Sequence, residues 1–154
     1  MIEASGPSVR RSLAPNAGAT SSASNHKASM AIDRHRGHLV KTTGDGVLAR
    51  FDGAERAVRG AAAIRDAAQS LGLVIRAGVH TGEIQEVAGD VRGLAVHTAA
   101  RIMGAADPGA ILVSATVMVV LDASGLTFED GGVHELKGLH GTRQFYRLAT
   151  LGGD

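Results

Sequence analysis

The sequence predicts an α+β fold in which helices pack on a mainly antiparallel sheet. Segments with strand alternation and segments with helical spacing follow in the order strand, strand, helix, strand, helix, strand, helix, strand, strand. Glycine supplies 21 of the 154 residues and aromatic residues only 3%. The chain therefore has many turns, and its core is built mainly from Ala, Val, Leu and Ile.

The N-terminal residues differ from the rest of the chain. Small and polar residues dominate positions 17–24, which show neither strand alternation nor an apolar helical stripe. We therefore expect residues 1–24 to be disordered. Residues 25–150 are expected to form one domain, which opens with a short helix from Ser24 or Asn25 to Gly37.

The remaining elements are read from periodicity and turn residues. Two strands, 38–43 and 47–51, flank Gly44-Asp45-Gly46, which is a strong hairpin signal. The later expected elements are a helix at 54–69, a strand at 73–83, a turn at 88–89, a helix at 95–106, a strand at 111–113, a helix capped by Ser114 that runs to Leu121, a strand from 126–129 towards 133–136, and a strand at 143–148.

Charge and composition exclude several classes of function. The formal net charge is +1, so nothing indicates a nucleic acid or a membrane surface as a partner. The absence of cysteine excludes disulfides, thiol catalysis and cysteine-bound zinc. No apolar run reaches transmembrane length, and the N-terminus lacks the apolar stretch of a signal peptide. We expect a cytoplasmic protein.

Two groups of polar residues are candidates for chemistry. Asp45 lies at the tip of the predicted hairpin, where a carboxylate suits Mg or Mn held by phosphates, although an ordinary Gly-Asp-Gly turn explains it equally well. Asp90 lies in the turn before a predicted helix. On that helix His97 and Arg101 are four residues apart and share one face. They suit a phosphate or a developing oxyanion, although an exposed polar helix face would look the same.

Seven sequence blocks occur in one order between residues 35 and 148. They are GHLVKTTGDG at 37–46, FDGAERAV at 51–58, RAGVHTGE at 76–83, GLAVHTAAR at 93–101, ADPG at 106–109, VS at 113–114 and ELKG at 135–138. In this order and spacing the sequence resembles the catalytic domains of class III adenylyl and guanylyl cyclases, in their bacterial form.

The resemblance implies a fold, a reaction and a purine. It implies the ferredoxin-like palm of cyclases and conversion of ATP to cyclic AMP and pyrophosphate. By similarity, Asp45 is one of two aspartates that hold a pair of Mg or Mn ions, and Lys41 and Asp90 occupy the purine-reading positions. A lysine can donate to adenine N1 and an aspartate can accept from the N6 amino group. Guanine presents the opposite pattern, so this pair favours ATP over GTP.

The resemblance also assigns the remaining site residues. Arg101 matches the arginine that stabilises charge on the α-phosphate. His97 stands where the family commonly has an asparagine that orients the ribose, which is a departure. Lys137 is a candidate triphosphate contact, although a solvated lysine near a turn is an equally good interpretation. Because the family's site lies between two chains, a homodimer is implied, in which one chain supplies Lys41, Asp90, His97 and Arg101 and the other the metal carboxylates.

One part of the family's pattern is absent. The family's domain opens with a strand that carries the first metal aspartate, whereas the only acidic residues before Asp45 are Glu3 and Asp33, and neither lies in an apolar, strand-like run. We therefore expect the first strand and the first metal ligand to be missing, which impairs two-metal catalysis and leaves strand edges unpaired.

Two alternatives follow from this absence. The chain could be a non-catalytic homologue that acts as a dimerisation or regulatory partner, for example in a heterodimer with an intact cyclase domain. It could also be a degenerate or mis-started gene product.

Overall fold

The computed structural model describes residues 2–5, 17–43, 46–121, 123–138 and 140–149, and for residues 2–5, 17–23 and 43 it describes the backbone alone. Four helices and nine strands occur within these residues. In chain order they are β1 (Ile2–Ser5), α1 (Ala17–Arg34), β2 (Gly37–Thr43), β3 (Gly46–Phe51), α2 (Ala54–Ser70), β4 (Arg76–Val79), β5 (Gln85–Val87), β6 (Asp90–Arg92), α3 (Leu94–Ala105), β7 (Ile111–Ser114), α4 (Ala115–Val120), β8 (Phe128–Glu135) and β9 (Thr142–Leu148).

Seven of these strands form one sheet in the order β2-β3-β1-β4-β7-β9-β8. Every neighbouring pair is antiparallel except β4 and β7, which are parallel. The predicted α+β class with a mainly antiparallel sheet is therefore confirmed. Within the part of the chain that the structure describes, β5 and β6 pair only with each other and form a separate two-stranded ribbon.

The expectation that the first strand is missing is wrong. Residues Ile2–Ser5 form β1, which lies between β3 and β4. Ile2 pairs with Ala49 on one side and Val79 on the other, and the ladders continue to Ser5. The segment is short and has no alternating pattern of its own, but two neighbouring strands satisfy its backbone hydrogen bonds from both sides.

The N-terminal expectation is also wrong for α1, which begins at Ala17 rather than near Ser24. Its C-terminal half packs on the core through Ala28, Ala31 and Ile32, all buried. Tertiary packing stabilises the C-terminal half of α1. Because alanine has the highest helix propensity, the alanine-containing segment before Ser24 can extend this helix towards the N-terminus. Residues 6–16, which were also expected to be disordered, lie outside the described residues.

The helices cover the sheet on two faces. On one face, α1 and α2 bury a cluster that includes Ile32, Val58 and the strand residues Val47 and Ala49. On the other face, Leu48 packs with residues of α3 and β6. Successive residues of β3 therefore point to opposite faces, as a strand requires, and both faces are apolar because both carry helices.

The strand expected at 73–83 is shorter in the structure, where β4 spans only Arg76–Val79. Its two partners, β1 and β7, are also four residues long. Just before β4, the Ile75 carbonyl still accepts a hydrogen bond from the Gly109 N–H over 2.8 Å, but the apolar alternation seen in the sequence extends further than the regular strand pairing.

Candidate active site

A two-stranded ribbon places Asp90 beside Lys41. Lys41 belongs to β2, an edge strand of the sheet, and Asp90 is the first residue of β6. The Lys41 Nζ atom donates a hydrogen bond to Asp90 Oδ1 over 3.2 Å, and the two side chains are 46% and 41% exposed. Two residues 49 positions apart in sequence thus form one accessible pair of a donor and an acceptor.

The carboxylate of Asp90 is fixed by a second contact. Its Oδ1 atom also accepts the backbone N–H of Val91 over 2.8 Å. The hydrogen bond from Lys41, and then that from Val91, hold the pKa of Asp90 below its ordinary value. Asp90 is therefore ionised at neutral pH and presents acceptor oxygens only.

A two-residue turn joins β5 to β6 and sets the position of Asp90, which follows it directly. Ala88 and Gly89 have φ values of 52° and 80°, and they separate Val87 from Asp90, which pair in the ribbon. Positive φ at both central residues is the pattern of a type I′ hairpin turn. The turn predicted at 88–89 is therefore confirmed, although the two strands beside it were not expected.

His97 and Arg101 lie on α3, as predicted, and both are exposed. The opposite side of this helix is buried through Ala95, Ala99 and Ile102. Since His97 and Arg101 are four residues apart, they point to the same side of the helix, away from the sheet. Both side chains are therefore accessible to a ligand or to a second chain.

The predicted site residues do not all converge within one chain. Lys137 is exposed in the turn that follows β8, whereas Lys41 lies on β2, and these two strands form opposite edges of the seven-stranded sheet. Six strand spacings of roughly 4.8 Å separate the two edges. Asp45 lies outside the described residues, between Thr43 at the end of β2 and Gly46 at the start of β3.

A cavity of about 350 Å³ opens beside α3. It is lined by residues of α3, α4 and the β8–β9 edge, with Leu94, Thr98 and Arg143 among them. Neither Lys41 nor Asp90 lines it. The described residues contain no group of three or more His, Cys, Asp or Glu side chains that could hold a metal ion.

Sequence reasoning missed two features near the site. The sequence pattern places Glu3 outside any strand, but Glu3 is the second residue of β1, paired with Leu48 and Gly78. An ion pair between Arg50 on β3 and Glu86 on β5 joins the ribbon to the sheet, with Arg50 Nε 2.8 Å from Glu86 Oε1. The short segments 85–87 and 90–92 are separated by two turn residues, Ala88 and Gly89. This spacing is a hairpin signal from which the ribbon could have been predicted.

Comparisons with known proteins match most of the chain to one family. Residues 28–150 match the family model described as the adenylate and guanylate cyclase catalytic domain. A protein of Rhizobium meliloti (strain 1021), provisionally named adenylate cyclase 3, is 38% identical over 114 residues, which cover 68% of this chain and 19% of the relative. The "pH-sensitive adenylate cyclase MT1302" of Mycobacterium tuberculosis (strain CDC 1551 / Oshkosh) is 36% identical over 78 residues, which cover 48% of this chain and 20% of that protein.

Solved structures share the fold over almost the whole chain. The adenylate/guanylate cyclase/hydrolase from Silicibacter pomeroyi superposes with a TM-score of 0.80 at 30% identity, covering 96% of this chain and 94% of that one. The adenylyl cyclase CyaB from P. aeruginosa superposes with a TM-score of 0.83 at 19% identity, covering 96% and 91%.

Fold and sequence together define a class III nucleotidyl cyclase catalytic domain. The chain belongs to the adenylate and guanylate cyclase catalytic domain family. It spans about a fifth of the length of the curated relatives that it matches. Within the described ranges, no helix combines the length and the apolar character needed to cross a bilayer.

Proposed function

We propose that this chain is an adenylate cyclase catalytic domain that converts ATP to cyclic AMP and pyrophosphate. The observation that carries the proposal is the Lys41–Asp90 pair, whose Nζ and Oδ1 atoms are 3.2 Å apart. Adenine offers an acceptor at N1 and a donor at the N6 amino group, so Lys41 can donate to the first and Asp90 can accept from the second. Guanine has a donor at N1 and an acceptor at O6. The donor of Lys41 would then face a donor and the acceptor of Asp90 would face an acceptor, which is unfavourable.

The reaction needs positive charge near the α-phosphorus. The ribose 3′-hydroxyl loses its proton to water, its oxygen forms a bond to this phosphorus, the bond to the bridging oxygen of the β-phosphate breaks, and pyrophosphate leaves with the negative charge. We assign Arg101 to the charge that builds on the α-phosphate and His97 to a hydrogen bond with the ribose. Their shared exposed face on α3 is consistent with these roles. Lys137 is assigned to the triphosphate.

A divalent cation, Mg or Mn, is part of the proposal. Bound there, it would neutralise the triphosphate and lower the pKa of the 3′-hydroxyl. Its holders would be Asp45, between β2 and β3, and Glu3, on β1. Ser5 pairs with Gly46, so the backbone of β1 lies beside the start of β3, the strand that follows Asp45 in the sequence. Carboxylate oxygens are the ligands that these hard cations prefer.

The alternative of a non-catalytic partner now has less support. That alternative depends on a missing strand and a missing aspartate, and the strand is present as β1. A glutamate on that strand is one methylene longer than an aspartate but offers the same ligand atoms. We therefore favour the enzyme over the regulatory partner and over a degenerate product.

We also propose that the site is completed by a second copy of the chain. The pair Lys41–Asp90 is about half exposed, and Lys137 follows a strand at the opposite sheet edge. A homodimer would let one copy supply Asp45 and the other supply Lys41, Asp90 and Arg101. A heterodimer with an intact cyclase domain would meet the same need.

Formation of cyclic nucleotide from Mn-ATP and Mn-GTP tests the proposal. We expect the wild-type chain to prefer ATP, and we expect Asp45→Ala and Arg101→Ala each to abolish activity while Arg56→Ala, an exposed arginine on α2, keeps it. Mixing the two inactive variants should restore activity, because one composite site then has both groups. A folded wild-type chain that makes no cyclic nucleotide, alone or mixed with an intact cyclase domain, would contradict the proposal.

Replacing Glu3 tests its assignment separately. We expect Glu3→Gln to remove most activity and Glu3→Asp to keep part of it, because aspartate retains the carboxylate. Full activity of Glu3→Gln would show that Glu3 holds no metal.

A further inference from the structure

The ribbon that carries Asp90 has few attachments to the rest of the protein. Its strands pair only with each other among the described residues, and a two-stranded hairpin is marginally stable by itself. One attachment is apolar: Val91, 3% exposed, packs with Leu48 and Ala99. Two further attachments are the ion pairs Lys41–Asp90 and Arg50–Glu86.

The Arg50–Glu86 pair lies on the side of the ribbon that faces the sheet. Glu86 pairs with Val91, and opposed residues of an antiparallel pair lie on the same face. Val91 is buried against the sheet, so Glu86 is directed towards the sheet as well, where Arg50 of β3 meets it. Val87 and Asp90, the next pair along, lie on the other face. The Arg50–Glu86 pair therefore joins the sheet-facing side of the ribbon to β3, whereas Lys41 contacts Asp90, which lies on the other face of the ribbon.

The side chains of Arg50 and Glu86 are 34% and 53% exposed, but the contact atom of Arg50 is buried. The Nε atom of Arg50 is buried and makes no well-directed hydrogen bond, although it lies 2.8 Å from Glu86 Oε1. The contact is thus a close ion pair that compensates a buried polar atom. Without Glu86 this atom would have no counter-charge, and the ribbon would lose its polar contact with β3.

We propose that the Arg50–Glu86 ion pair positions Asp90 against Lys41, so that Arg50 and Glu86 are positioning residues for purine selection. This inference rests on the proposed function, in which Lys41 and Asp90 read the base. A displaced ribbon would still carry Asp90, but the Oδ1 atom of Asp90 would no longer lie beside Nζ of Lys41. The donor and the acceptor would then lose the spacing that lets both contact one purine edge. The expected defect is a loss of selectivity rather than a loss of fold.

Equilibrium binding of ATP and of GTP to the whole chain provides the first test. We expect Glu86→Gln to reduce the preference for ATP over GTP by about two- to fivefold, the range given by typical energies of partly exposed ion pairs. The exchange of both charges, Arg50→Glu with Glu86→Arg, should restore part of the preference. The matched control is Glu129→Gln, which removes a similar ion pair with Arg147 at the far sheet edge, and it should leave the preference unchanged.

Variants of the base-reading pair separate the two proposals. If Lys41→Ala and Asp90→Ala abolish the preference but Glu86→Gln behaves like Glu129→Gln, the positioning role is wrong and the proposed function stands. If Lys41→Ala and Asp90→Ala leave the preference intact, or if the chain binds neither nucleotide, the purine-reading role fails, and the positioning role is decided by the second measurement.

That measurement is the titration of the Asp90 carboxyl by NMR. The charged groups acting on it are Lys41 and Arg92. Removing the negative charge of Glu86 would, by itself, lower the pKa of Asp90. A loosened ribbon would weaken the hydrogen bond from Lys41 and raise it. We expect a rise towards the ordinary value of 3.8 in Glu86→Gln. An unchanged or lower pKa would show that the ion pair does not position Asp90.

Discussion

Gly78 lies directly beneath Ala99: a Cβ atom added to Gly78 would come within 2.4 Å of the Ala99 carbonyl oxygen and equally close to the backbone nitrogen of Met103. Backbone atoms of a helix cannot rotate out of the way as a side chain can. The helix α3, which carries His97 and Arg101, therefore rests on β4 at a distance that only glycine permits.

We expect Gly78→Ala to destabilise the fold by roughly 2–4 kcal/mol, because α3 must move away from the sheet. Urea denaturation measures this loss. Gly104→Ala is the control, since Gly104 is in the same helix with nothing within 4 Å of an added Cβ, and it should gain about 0.5–1 kcal/mol from helix propensity. Equal effects of the two changes would contradict the close packing of α3 on β4.

Ala88 is held in a left-handed conformation, with φ of 52°, that alanine adopts at a cost of about 1 kcal/mol. We expect Ala88→Asn to stabilise the protein by a few tenths of a kcal/mol to about 1 kcal/mol, because asparagine tolerates this conformation in type I′ turns. Thermal unfolding would show the gain. Gly89→Ala, at φ of 80°, should do the opposite although the space around it is open. A loss of stability in Ala88→Asn would argue against this turn.

Phe51 is packed against Gly60 of α2, and a Cβ on Gly60 would lie 2.8 Å from the tip of its ring. We expect Gly60→Ala to cost roughly 1–2 kcal/mol, because the clash exceeds the gain in helix propensity. A smaller side chain should relieve it, so Gly60→Ala with Phe51→Leu should lose less than the sum of the single changes. Additive losses in a urea double-mutant cycle would contradict the contact.

His80 makes the stability depend on pH. Its Nδ1 atom shares a hydrogen bond of 2.8 Å with Ser114 Oγ, and burial, with a contribution from the positive charge of Arg143, lowers the pKa of His80 below 6.5. The unfolded chain therefore binds this proton more readily than the folded protein. The stabilisation due to His80 is complete above about pH 6.5 and is lost as pH falls through the lower, folded pKa.

The variant His80→Gln tests this dependence. It keeps a group able to bond Ser114 but cannot titrate, so the urea midpoint should fall less between pH 7 and pH 5.5 than in the wild type. The same change in urea midpoint can be compared in His35→Gln, because burial and the nearby Arg34 and Arg59 also lower the pKa of His35. Identical pH profiles for wild type and His80→Gln would remove His80 as a cause.

Local signals predicted the parts of the fold that depend on local chemistry. The antiparallel strands β2 and β3 and the helix from Ala54 lie where the sequence predicts them. Ser114 caps α4 as predicted, with its hydroxyl accepting the Val117 N–H. Each depends on residues within a few positions of one another, so a single sequence contains the information.

The features that were missed depend on residues far apart in the chain. The strand Ile2–Ser5 has too few residues for a pattern and exists because β3 and β4 pair with it. The ion pair of Arg50 with Glu86 is invisible in either segment alone. Lys41 and Asp90 could be connected through the resemblance to cyclases, but their 3.2 Å contact became known only from the structure.

The central place of β1 also sets the order in which the sheet can be completed. Ile2 pairs with Ala49 and Val79, so β1 cannot be completed until two partners that follow it in the chain are available. Pairings of such large sequence separation slow folding, because chain entropy is lost before the contacts form. Until Val79 is in place, the β2–β3 hairpin and the β4–β7 pair remain two halves of an open sheet, and the joining of these halves is the step we expect to limit the folding rate.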